Sequence, residues 1–129
     1  MKERLMLFVS IISIISLYQC AKNQGGIVVY QSDGHGLVVA SEDMDAVRWD
    51  DAKKICIELD LNGFNNWRLP TKKELDLLYK SREKIGGFSD TTYWSSTDYD
   101  LAWVQYFKTG VQFEIGKAAR CSYRPVRDF

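Results

Sequence analysis

The segment Pro70-Thr71-Lys72-Lys73-Glu74-Leu75 fixes one helix start more firmly than any other stretch of the chain. Thr71 followed three residues later by Glu74 is a capping box, in which the hydroxyl accepts the Glu74 amide and the carboxylate accepts the Thr71 amide. Pro70 stands just outside the cap and fixes the approach of the chain. Leu75, Leu78 and Tyr79 then share one face, which predicts a helix over about Lys72–Lys80 with that face inward. Upstream, Trp49, Ala52, Cys56 and Leu59 recur at helical spacing and predict an earlier helix, with Ile55 beside the stripe and Gly63 as its stop. Asp50 and Asp51 fall in its first turn, where free amide groups favour negative charge.

The other apolar residues follow strand patterns. Ile27–Tyr30 and Leu37–Ala40 flank Ser32–Gly36 and predict a hairpin. Ser41–Ala46 reads as an acidic loop, and Ser81–Thr92 as a connecting loop containing Gly86-Gly87-Phe88. Tyr93–Ser96, Ala102–Phe107 and Val111–Ile115 read as strands, with a turn at Lys108–Gly110. In the second of these, Trp103 and Phe107 lie on one side and Val104 and Tyr106 on the other. In the third, alternation sends Val111, Phe113 and Ile115 to the core and Gln112 and Glu114 to water. Cys121–Phe129 reads as a closing strand that pairs with the N-terminal hairpin, and Pro125 argues for an edge or a bulge in it. The pattern predicts an α+β domain, a short twisted antiparallel sheet with two helices inserted early.

The first residues read differently. Lys2 and Arg4 precede an apolar run, Leu5–Tyr18, that is shorter than the roughly 20 residues of a membrane span. A basic head and such a run have the form of a secretory signal peptide, here residues 1–19. The run ends Leu17-Tyr18-Gln19-Cys20, which resembles the bacterial lipoprotein signal whose cysteine becomes the lipidated first residue. Gln19 stands where a small residue is usual, so plain export is the alternative. Residues 20–24 then read as a tether and 25–129 as the folded domain. This predicts an exported protein anchored by lipid at Cys20 on the outer membrane or cell surface, or else a periplasmic or secreted one. Lipidation of Cys20 leaves Cys56 and Cys121 as an even pair. They either form a disulfide, worth about 4 kcal/mol for so long a loop on the chain-entropy model, or stay as two buried thiols.

Charge and residue types narrow the function. A net charge of +0 gives no broad attraction to nucleic acid. Lys72–Lys73 and Arg120, Arg124 and Arg127 read as solvated faces or salt-bridge partners. The only histidine, His35, sits between glycines and reads as a turn residue, and no nucleophile–base–orienter set is visible. Glu42, Asp43, Asp45, Asp50, Asp51, Asp98 and Asp100 lack calcium-loop spacing. No catalytic residue, metal or cofactor is therefore expected. Arg68 lies between Trp67 and Leu69, where a charge must be exposed or paired. It is either a structural ion pair or a ligand contact. Trp67, Trp94 and Trp103 pose the same choice beside Asn65, Asn66, Ser95 and Ser96. Left on the surface, these residues would be candidate contacts for a glycan or a surface protein.

Several stretches together resemble the Lcl C-terminal domain family, also called DUF1566. They are Gly25–Tyr30, His35–Val38, Trp49–Cys56, Gly63–Leu75, Gly86–Phe88 and Tyr93–Thr97, then Trp103, Phe107, Gly110 and Arg124–Arg127. The resemblance implies a fold similar to C-type lectins and to formylglycine-generating sulfatase-modifying domains. It also implies an exported or surface setting, with links to adhesion or to the binding of sulfated polysaccharides, and it brings no catalytic set. The Glu-Pro-Asn, Gln-Pro-Asp and Trp-Asn-Asp signatures of calcium-dependent sugar sites are missing from this sequence. Neither that mode of sugar binding nor oxidase chemistry is expected.

Overall fold

The computed structural model describes residues 24–129. The apolar run, Cys20 and all of the expected tether but Gln24 lie outside the described residues. The N-terminal hairpin is β1 (Ile27–Ser32) and β2 (His35–Val39), joined at Asp33-Gly34. Both turn residues have positive φ, 51° and 79°, which matches the right-handed twist of the flanking strands. His35 is the first residue of β2, pairs with Ser32 and is exposed. Next come β3 (Met44–Val47) and α1 (Trp49–Glu58). Then follow α2 (Lys72–Lys80), the single turn α3 (Arg82–Ile85), β4 (Thr92–Asp98) and β5 (Ala102–Tyr106). The chain closes with β6 (Gln112–Ile115), β7 (Cys121–Tyr123) and β8 (Val126–Asp128).

The α+β class is as expected, but the strands form two sheets, ordered β1-β2-β8 and β3-β7-β4-β5-β6. All pairings are antiparallel except β4 with β7. The expected single closing strand is broken at Arg124-Pro125. Proline has no amide to give a ladder, so β7 ends there and the chain crosses into the other sheet. Pro125 instead accepts the Ala40 amide at 2.9 Å, and β8 pairs with β2 as the sequence suggested.

Successive residues of β4 point to opposite faces, and the two helices cover those faces separately. Trp94 packs with Trp49, Ala52 and Cys56 of α1 and with Ala102, Val104, Cys121 and Tyr123. Tyr93 packs with Leu75 and Leu78 of α2 and with Leu37, Val39, Phe107 and Val126. A third cluster joins Val38, Ala40 and Trp67.

Four further expectations need correction, besides the short helix α3 that lies inside the expected loop Ser81–Thr92. The helix opened by Trp49 stops at Glu58, before Gly63. Asn62-Gly63 is a positive-φ turn that lets Leu61 and Phe64 form a bridge, and Leu59 packs around Trp67 instead of on the α1 stripe. The acidic segment contains strand β3, paired with β7. In the last hairpin, Val111 and Phe113 are 56% and 38% exposed. They lie at the edge of the sheet, on the face α1 covers only near Ala102 and Ile115. Gln112 points the other way and is half-buried, its amide donating to the Lys72 carbonyl at 2.8 Å and to Gln105 Oε1 at 3.2 Å.

The fourth correction is the disulfide. Cys56 and Cys121 are free thiols, both buried in the α1 cluster. They pack as small apolar groups, the alternative the cysteine count left open. Burial pushes the Cys56 thiol up to about 12 and the Cys121 thiol to about 11. Little reactive thiolate therefore exists near neutral pH. In the native protein at pH 8, neither thiol should react with iodoacetamide within an hour. Both should react once the chain is unfolded in denaturant without reductant. Intact mass after each treatment checks this, and a native-state adduct on Cys56 would contradict the packing described.

Candidate functional site

Two signature segments, Trp67–Thr71 and Tyr93–Thr97, are tied to each other and to the C-terminus. Arg68 exchanges both backbone hydrogen bonds with Val126, each 2.8 Å long. The Pro70 carbonyl accepts the Ser96 amide at 2.7 Å. The Lys72 amide donates to Thr97 Oγ1 at 2.9 Å. The capping box is present as predicted, with Thr71 N–H to Glu74 Oε1 at 2.8 Å and Glu74 N–H to Thr71 Oγ1 at 3.2 Å. Replacing Thr71 by alanine should lower stability by about 1 kcal/mol, read as a shift of the urea midpoint without a change in slope.

Glu74 serves twice. Arg68 Nη1 and Nη2 reach its two oxygens at 2.7 and 2.9 Å, and the same guanidinium reaches Asp128 at 3.0 to 3.2 Å. The Glu74 bond, foremost, keeps the Arg68 guanidinium firmly protonated. For Glu74, burial pushes the carboxyl up, but the Arg68 hydrogen bonds and the Thr71 amide outweigh it and hold the group below its ordinary value. A carboxyl depressed in the folded state stabilises the fold above its unfolded pKa of about 4.3. That stability is lost as pH falls through the folded value. Wild type should therefore lose more stability between pH 7 and pH 3 than Glu74→Gln does, measured by urea midpoints at both pH values. Equal losses would show that Glu74 is not held as described.

The sequence-predicted contacts divide sharply. Trp67 is buried, its Nε1 donating to the Phe64 carbonyl at 3.1 Å. Trp94 is buried and donates to the Val47 carbonyl at 2.8 Å. Ser95 is buried; its Oγ donates to the Trp103 carbonyl at 2.7 Å, and its carbonyl accepts Trp49 Nε1 at 2.9 Å. These three residues present no surface to a ligand, because their polar atoms are needed where helix, strand and loop meet. Ser96 and Trp103 are half-buried, and Lys72 Nζ lies 3.3 Å from the Trp103 ring centroid. Asn66 is exposed but engaged with the Asp128 carbonyl and with Arg127 Nε. Asn65 is exposed.

A different set of residues surrounds the open cleft. Gly86-Gly87-Phe88 follows α3, and both glycines have positive φ, 82° and 78°. The loop is held from beneath by Arg124, which is 1% exposed. Its Nη1 donates to the Gly86 carbonyl at 2.8 Å, and its guanidinium lies 3.8 Å from the Phe88 ring centroid. A Cβ on Gly87 would sit 2.9 Å from Arg124 Nη2. Arg124 also donates from Nε to Asp43 Oδ1 at 2.9 Å. Asp43 Oδ2 accepts the Tyr93 hydroxyl, and that hydroxyl accepts the Ser89 amide at 2.8 Å. Desolvation foremost, and then the Asp43 bond, pushes the Tyr93 phenol well above its usual value, so it stays a donor. Above this brace lies a cleft of about 240 Å³, lined by half-buried Phe88, by Phe107 with only 1% of its surface exposed, and by a polar rim of Arg82, Glu83, Ser89 and Asp90. A second hollow of about 420 Å³ at the start of α1 is lined by Arg48, Asp50, Asp51, Lys117 and Ala118 and has no aromatic wall.

The cleft residues escaped the sequence reading because Ser81–Thr92 showed no period. The signal available was the glycine pair before a phenylalanine, since two adjacent glycines permit a backbone that other residues resist.

The family model for the Lcl C-terminal domain matches residues 19–127. This chain belongs to the Lcl C-terminal domain family. No curated protein matches it. Solved structures similar to this Lcl C-terminal domain include botrocetin, at 13% identity and TM-score 0.47, covering 78% of this chain and 93% of that one. EMS16, an antagonist of the collagen receptor integrin alpha2beta1, is similar at 17% identity and TM-score 0.49, covering 76% and 94%. The snake venom toxin convulxin is similar at 15% identity and TM-score 0.48, covering 75% and 92%. At these scores no function passes from those proteins to this Lcl C-terminal domain. The signature residues Trp67, Arg68, Trp94 and Arg124 all serve the internal ties described above.

Proposed function

We propose that this chain is an exported envelope protein, anchored by a lipid on Cys20, whose domain over residues 25–129 is a non-enzymatic binding module for a glycan or a surface protein. Residues 1–19 act as the signal peptide and 20–24 as the tether. The observation that carries the binding reading is the cleft at Gly86–Asp90. It joins the half-buried Phe88 ring to a polar rim of Arg82, Glu83, Ser89 and Asp90, apolar surface with a few placed polar groups, on a loop braced by the Arg124–Asp43 ion pair. A loop already fixed loses little entropy on binding.

The test is a glycan array probed with the purified protein, with and without chelator, beside pull-down of labelled envelope proteins. Binding that survives chelation supports the reading. An empty array and an empty pull-down would favour the alternative, a structural or assembly component of the cell surface without its own ligand. Radiolabelled palmitate should enter the wild-type protein and not Cys20→Ala. Equal labelling of both would remove the anchor.

A further inference from the structure

We propose that the edge strand β6 is an interaction surface whose partner is β6 of a second copy of this chain, paired antiparallel about a two-fold axis at Phe113. The pairing goes beyond the binding reading and does not need it.

A comparison of the sheet edges points to β6. β1 breaks its register between Val28 and Tyr30, and β3 between Met44 and Val47. Such irregularities turn an edge away from other chains. β8 is covered on its outer side by the Arg68–Val126 bridge. β6 has no such protection. Its register with β5 runs unbroken from Gln112 to Ile115, and it holds no proline or lysine. Among the described residues no strand pairs with its outer side.

The hairpin sets which backbone groups are free. The Val111 carbonyl accepts the Tyr106 amide at 2.9 Å, so Val111, Phe113 and Ile115 turn their backbone groups toward β5. Antiparallel pairing alternates. Gln112 and Glu114 therefore turn their amides and carbonyls outward, where a further strand can take them. Val111 and Phe113 add exposed apolar side chains on one face of the same edge.

Charge and backbone direction then fix the register. Outward-facing residues must meet outward-facing residues. An axis at Glu114 would set two carboxylates directly opposite each other, which is destabilising. An axis at Gln112 would require Gly110, which has a φ of 84° and lies outside β6. The axis at Phe113 sets Gln112 of each copy opposite Glu114 of the other, with backbone hydrogen bonds exchanged in both pairs. It places the two Phe113 residues opposite each other as a non-hydrogen-bonded pair, with Cα atoms about 4.5 Å apart. Val111 of one copy then meets Ile115 of the other. Apolar faces apolar and no like charges meet, as a two-fold contact requires. The contact is small beside the roughly 1,600 Å² of a standard interface, so the dimer is weak and depends on concentration.

The test uses the full-length protein in detergent and mild oxidation by copper phenanthroline. Phe113→Cys should be trapped as a disulfide-linked dimer, because the Cα separation suits a disulfide. Glu114→Cys should not, because two positions of offset put its Cα atoms beyond about 7 Å. Cys20 is present in both variants and in wild type, so any link through it appears equally in all three. Phe113→Lys puts two ammonium groups opposite each other at an exposed position. It should raise the dissociation constant at least about tenfold, read by sedimentation equilibrium, with the melting temperature unchanged. Equal trapping of Glu114→Cys, a dimer unaffected by Phe113→Lys, or a wild type that stays monomeric at every soluble concentration would overturn the proposal. A Phe113→Cys that links only to a different envelope protein would also overturn it, in favour of a strand from that protein.

Discussion

Arg124→Met should destabilise the domain by up to about 3–5 kcal/mol, the loss when one partner of a fully buried ion pair is removed, reduced because Asp43 keeps 21% of its side chain exposed. The guanidinium is almost wholly buried and sits where three segments meet. Its Nε and Nη2 lie 2.9 and 2.8 Å from Asp43 Oδ1. Nη2 is off the hydrogen-bond direction and has no other partner, so its contribution there is charge attraction alone. Removing the cation leaves Asp43 with only the Tyr93 hydroxyl as a partner in this network and frees the Gly86 carbonyl. The Phe88 ring also loses the cation packed on it. Against a total stability of about 5–15 kcal/mol for a domain, that loss is severe. Urea unfolding should show it as a lowered midpoint. Adding Asp43→Asn to Arg124→Met should recover part of the loss, because the uncompensated carboxylate is then gone. A double variant no better than the single one would mean the pair is not coupled as described.

Trp94→Ala should cost a similar amount, about 3–5 kcal/mol, for a different reason. The indole is fully buried against α1 and fills the space between Trp49, Cys56 and Tyr123. Its Nε1 donates to the Val47 carbonyl at 2.8 Å and so ties β4 to the end of β3. Alanine leaves both a cavity and an unpaired carbonyl. Trp94→Phe separates the two effects, since it keeps most of the volume and loses only the donor, at about 1–3 kcal/mol. A calorimetric series should rank wild type above Trp94→Phe and Trp94→Ala last. Equal melting temperatures for all three would place Trp94 outside the core.

Local patterns were legible where one interaction range decides the structure. Thr71 and Glu74 name a helix start because both partners lie within one turn. Trp49, Ala52 and Cys56 name a buried face because the spacing is that of the helix itself. What escaped depends on contacts between distant segments. Arg124 looked like a surface charge or an ion-pair member, and only the fold brings it to Asp43 and to Gly86. Val111 and Phe113 alternated toward a core that ends one strand too early to cover them. Pro125 signalled an interruption, but not that the chain changes sheets there. For the candidate site, the tryptophans and Arg68 drew attention as chemically capable groups. The structure spends them on joining loops, and the open rim consists of ordinary residues on a stretch without period.

The central claim is that the segments Trp67–Thr71 and Tyr93–Thr97 brace the domain. Native-state hydrogen exchange tests it most directly. The amides of Arg68, Ser96 and Val126, all in cross-segment hydrogen bonds, should exchange only through global unfolding, and so among the slowest in the domain. Gly87 and Asp90, whose amides donate to none of the hydrogen bonds described, should exchange fast. If Arg68, Ser96 and Val126 exchange as fast as Gly87 and Asp90, the ties are not structural and the account fails.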